Sequence, residues 1–99
     1  MEKIKVQIDK DIKDLIPDFI EARRNDFQRL PGLVAQKNYE QMITIGHGMR
    51  GSGGGYGFDE ITRIGGVIED AARCQSDQRI LEMVKDLESY LSRIEIEYV

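Results

Sequence analysis

The chain's only histidine, His47, lies in the run Gly46-His47-Gly48-Met49-Arg50-Gly51-Ser52-Gly53. On a helix, residues three apart are neighbours, which puts Arg50 within side-chain reach of His47. The pair suits phosphoryl chemistry. A neutral imidazole keeps one nitrogen lone pair free near neutral pH, and that nitrogen can attack phosphorus. The resulting phosphohistidine carries negative charge, which a guanidinium can bind through two parallel hydrogen bonds. Its N–P bond is labile, so the group can be passed on. Other chemistries fit the residues less well. His47 and the single cysteine, Cys74, are 27 positions apart and do not make a metal-ligand set. A serine or cysteine nucleophile would need a base and a group to orient it, and no such arrangement is evident. The glycine-rich stretch lacks the Lys-Ser/Thr of a Walker loop, and it follows a helical pattern where a dinucleotide fingerprint follows a strand.

Seven of the ten glycines fall between residues 46 and 57. Each costs roughly 1 kcal/mol against alanine inside a helix, so this density marks function or close packing. At about 100° per residue, Tyr39, Met42, Ile43, Gly46 and Met49 share one face, with His47 at its edge. Gly46 then faces inward and admits a neighbouring helix. Thr44 and Gly51 bracket His47 on the outer surface, where the missing side chain at Gly51 leaves the imidazole open to a partner. Gly48 points outward and has no packing reason that the pattern reveals.

The elements that hold this run are helical. Asp9 caps a short first helix through Leu15, and Pro17 suits the first turn of a second. That helix carries Phe19, Ile20, Arg23, Phe27 and Leu30 along one side. Pro31-Gly32 is expected to kink or end it, although Leu33 and Val34 suggest continued packing. Asn38 with Gln41 is a capping-box signature for a third helix. After the glycine turn, Ile61, Ile64, Gly65, Ile68, Ala71 and Ala72 form the stripe of a fourth. Ser76 caps a fifth, along which Ile80, Val84, Leu87, Leu91 and Ile94 recur at helical spacing. An antiparallel return after residues 53–58 brings residues 64–69 beside His47. Glu69 there reads two ways: as an acceptor for the ring's second nitrogen, fixing its tautomer, or as a solvated carboxylate.

Both ends alternate like strands. Lys3, Lys5 and Gln7 interleave with Ile4, Val6 and Ile8, and Ile94, Ile96 and Tyr98 interleave with Glu95 and Glu97. The complementary charges predict an antiparallel two-stranded ribbon joining the termini. The fold expected is therefore all-α, an antiparallel up-down four-helix bundle with a short N-terminal helix and paired terminal strands. It forms one domain over residues 1–99, with its core at about 14–93 and strand-like ends at 3–8 and 93–98.

The 99 residues suffice for one domain. A core that small leaves little room for an enclosed active-site cavity, so chemistry is expected at the surface. The net charge of −4 argues against nucleic acid as a partner. No apolar run approaches a membrane span, and the charged N-terminal residues do not read as a signal peptide. With one cysteine, expected to be a small core residue, a cytoplasmic setting fits best.

The run from His47 to Gly53, followed by Gly54-Gly55-Tyr56-Gly57-Phe58, resembles the HPt (histidine-containing phosphotransfer) domain family. That family's motif is His, two residues, Lys or Arg, Gly, then small residues and a glycine turn. The likeness covers roughly residues 14–93 and is strongest at 46–72. It implies that His47 is the phosphorylation site and Arg50 the charge partner, where lysine is more usual. It also implies that Gly51 is the small residue under the docking surface, and that Glu69 occupies a position where some members bond a polar side chain to the histidine. The family more often places alanine or larger residues beside the histidine than the glycines at 46 and 48.

The resemblance further implies a phosphoryl carrier rather than a stand-alone catalyst; a monomer is favoured, with the terminal strands, which lie outside the family's usual bundle, open to a dimerising or docking role. Such a carrier exchanges phosphate with the aspartate of response-regulator receiver domains, or with a histidine kinase. No cofactor is expected in this chain, since Mg²⁺ belongs to the partner receiver. The alternative is a helical adaptor that docks signalling partners without transferring phosphate.

Overall fold

A computed structural model describes residues 2–99. The chain runs from strand β1 (Ile4–Ile8) through a 3₁₀ segment (Lys10–Leu15) into helices α1 (Ile16–Ala35) and α2 (Tyr39–Ser52). A 3₁₀ turn (Gly54–Tyr56) leads to α3 (Asp59–Arg73) and α4 (Asp77–Arg93), and strand β2 (Ile94–Tyr98) follows directly. The described residues are mostly helical, with four helices and one two-stranded sheet.

Local chemistry sets the boundaries. The Asp9 carboxylate accepts the Asp11 N–H at 2.9 Å and starts the 3₁₀ segment. Pro17 occupies the first turn of α1. Of the two outcomes expected at Pro31, the end does not occur, and α1 runs on to Ala35. Leu30 and Val34, one turn apart, are buried in the core, and their packing offsets the hydrogen bond that proline removes. The Asn38 side chain caps α2 by accepting the Gln41 N–H at 3.2 Å, while its own N–H donates to the Leu33 carbonyl. Ser76 takes the N-cap place of α4 without a side-chain bond. Its N–H donates to the Ala71 carbonyl at 2.8 Å, so backbone geometry makes this turn.

α2 packs chiefly on α3 and α1 on α4, with further contacts of α3 on α4 and α1 on α2. The core between them includes Leu30, Met42, Met49, Ile61, Ile64, Ile68, Ile80 and Leu87, all without solvent exposure. The anticipated α3 stripe is buried throughout. On α2 the buried set is Met42, Ile45, Gly46 and Met49, so Ile45 takes a place that the sequence pattern assigned to Ile43. On α1, Arg23 tolerates the packed side because its Nε donates to Asp26 at 2.7 Å and its guanidinium lies over the Phe19 ring. Cys74, read from the sequence as a core residue, is exposed. It is the C-cap of α3, two residues past Ala72, where the buried stripe ends.

The strands pair, but in parallel, which corrects the expected antiparallel ribbon. An alternating pattern reads the same in either direction, so complementary lysines and glutamates do not set polarity. Lys5 stands opposite Glu95 in the parallel register as well. Parallel neighbours need a long crossover, which the four intervening helices supply. The sheet is anchored by Ile8, which is buried and reaches Gly57 in the α2–α3 turn. Beside that turn Phe19 stacks on Tyr56 and Phe58, with ring centroids 4.4 and 5.4 Å apart. No described helix is long and apolar enough to cross a membrane.

Candidate functional site

Close contact between α2 and α3 brings the candidate residues together. A Cβ on Gly46 would fall 2.6 Å from the Glu69 backbone nitrogen and 2.8 Å from the Gly65 carbonyl oxygen. A Cβ on Gly65 would fall 2.6 Å from the Arg50 backbone nitrogen and from Met49 Cβ. Gly53 meets Thr62 equally tightly. Residue 53 faces 62, and 46 faces 65 and 69, so the two helices run antiparallel. The inward reading of Gly46 agrees with this geometry. Its counterpart Gly65 had been assigned only to the apolar stripe.

His47 lies just outside this seam, with its side chain 75% exposed. Its Nδ1 is 3.4 Å from Glu69 Oε2, an ion-pair distance rather than a well-formed hydrogen bond. Nε2 takes part in no hydrogen bond or ion pair among the described residues. Of the two readings of Glu69, the solvated one fails, because the residue is only 4% exposed. Its oxygens face three basic side chains. Arg73 Nη2 donates to Oε2 at 2.9 Å, and Arg50 Nη1 stands 3.5 Å from Oε1. Oε1 accepts no hydrogen bond among the described residues.

The Arg73 hydrogen bond does most to hold the Glu69 carboxyl below the usual carboxylate range. Burial works against it, and the His47 ring adds to the lowering. Glu69 is therefore an anion at neutral pH, fixed between two helices.

Gly51 is exposed, and a Cβ there would meet nothing within 4 Å. The surface one turn beyond His47 is open. Gly48 is equally unobstructed, and no packing requirement for it exists. The outer residues bond only to their own helix: Thr44 Oγ1 donates to the Glu40 carbonyl, and Ser52 Oγ to that of Gly48. Arg73 escaped the sequence reading. A signal for it was available in its place four residues after Glu69, on the same face of α3. Among the described residues no group of three or more His, Cys, Asp or Glu side chains lies together as a metal site would require.

No protein-family model matches this chain, and comparison with curated proteins and with solved structures finds no match either.

Proposed function

We propose that this chain is an antiparallel up-down four-helix bundle of the HPt type. It carries a phosphoryl group on His47 between signalling proteins, in a cytoplasmic phosphorelay. One observation carries the reading. An exposed imidazole turns Nδ1 toward a buried carboxylate that Arg50 also faces, which leaves Nε2 unencumbered.

A carboxylate at Nδ1 favours the tautomer with its proton there and puts the lone pair on Nε2. The phosphoryl donor is the aspartyl phosphate of a receiver domain. Nε2 attacks phosphorus and the N–P bond forms. The P–O bond to the aspartate breaks, and its electron pair stays on the leaving carboxylate. The ring becomes cationic and keeps its Nδ1 proton against Glu69. The same charge makes it a good leaving group when a second aspartate takes the phosphoryl group away. Arg50 neutralises the phosphoryl oxygens in both directions.

The test is to incubate the chain with a panel of phosphorylated receiver domains and follow the label. Transfer to this chain is expected. Binding without transfer would instead favour the adaptor reading. Arg50→Ala should slow transfer by roughly ten- to a hundredfold, since a charge-assisted hydrogen bond to a buried or forming anion is worth about 1.5–3 kcal/mol. Arg50 is 58% exposed, so the variant should keep the wild-type melting temperature within a few degrees. Unchanged transfer kinetics would reject its role.

A further inference from the structure

Glu69 presents a difficulty for any phosphoryl group on His47, since it places a second negative charge against the same ring. Arg50, one turn from His47 on the same helix, stands 3.5 Å from Glu69 Oε1. If Arg50 had to neutralise Glu69, it would be drawn away from the phosphoryl oxygens. Arg73 removes that competition. It reaches back one turn of α3 and donates to the same Oε2 that meets Nδ1 of His47, and at 2.9 Å it is the nearest cation to the carboxylate. Arg50 is left facing Oε1 at 3.5 Å without a hydrogen bond, close enough to be held in place and loose enough to turn outward.

We propose that Arg73 is a positioning residue for His47 that acts through Glu69. It pins the carboxylate where Nδ1–H meets it, so that the ring presents Nε2 and Arg50 stays available to the phosphoryl group. An ordinary i,i+4 ion pair on a helix surface contributes little and has no such reach. This pair differs because its acidic partner is buried and bridges two helices to the imidazole. The tautomer claim stands on the unphosphorylated protein, whereas the claim about Arg50 rests on the phosphotransfer reading. The two are read separately.

The experiment compares wild type, Arg73→Ala, Arg73→Lys, Glu69→Gln and the Arg73→Ala/Glu69→Gln double variant. Imidazole ¹⁵N shifts of unphosphorylated His47, recorded at alkaline pH where the ring is neutral, report the tautomer. The Nδ1–H form should predominate in wild type. Arg73→Ala should move the population toward Nε2–H, and Arg73→Lys should restore part of it. In the Glu69→Gln background Arg73→Ala should change nothing. Transfer rates should follow the same pattern, with a roughly tenfold loss for Arg73→Ala that vanishes when Glu69 is glutamine. An unchanged tautomer in Arg73→Ala, or an equal effect of that substitution in both backgrounds, would overturn the proposal. If His47 takes no phosphoryl group at all, the transfer reading fails, and the tautomer series still decides the role of Arg73.

Discussion

Gly65→Val should cost the domain about 3 kcal/mol or more and lower its melting temperature by about 15 °C. The first added atom already lies 2.6 Å from two atoms of α2, one of them the Arg50 backbone nitrogen, and valine adds two methyl groups beyond it. Neither contact can yield by rotating a flexible side chain, so the helices must separate. Separation opens the seam that Met49, Ile64 and Ile68 fill and draws Glu69 away from His47. Gly48→Ala is the matched control. It meets nothing within 4 Å, and it should stabilise the protein by up to about 1 kcal/mol through helix propensity alone. Thermal and urea unfolding check both. A Gly65→Val protein as stable as wild type would show that the helices do not meet as closely as described.

Gly51→Leu separates fold from function. The position is open to solvent, so leucine should leave stability unchanged or slightly improved. On the proposed phosphotransfer reading, transfer should nevertheless fall by on the order of a hundredfold, because a bulky side chain one turn from His47 would fill the space an incoming receiver would occupy. The loss belongs to docking, so direct phosphorylation of His47 by a small donor such as phosphoramidate should survive. Transfer at the wild-type rate would remove Gly51 from the contact surface.

What could be read in advance follows from what each residue's environment repeats along the chain. His47, Arg50 and Gly51 share one helix, so their relation follows from helical geometry. Glu69 came into view because a short glycine turn forces the next helix to return beside the first. The remainder depended on tertiary detail. Whether Glu69 is solvated or buried depends on the gap between α2 and α3, and Gly46 discloses only half of that gap without Gly65. Arg73 resembles any basic residue at a helix C-terminus until the burial of its partner is known. Strand polarity has no signature in alternation, which is why the ribbon was expected to run the other way. Cys74 was misjudged, and of the two outcomes expected at Pro31 the helix end does not occur. A local rule was applied to each, while packing at Leu30 and Val34, and the end of the α3 stripe, decided the outcome.

The central claim is tested most directly by identifying the atom that carries phosphorus. Chain labelled with ¹⁵N at histidine, after incubation with a phosphorylated receiver, should show one ³¹P–¹⁵N coupling, to Nε2 of His47. The adduct should be lost in acid and stable in base, and His47→Gln should give none while keeping its helicity by circular dichroism. An acid-stable adduct on oxygen, a label that persists in His47→Gln, or no label from any receiver in the panel would contradict the account.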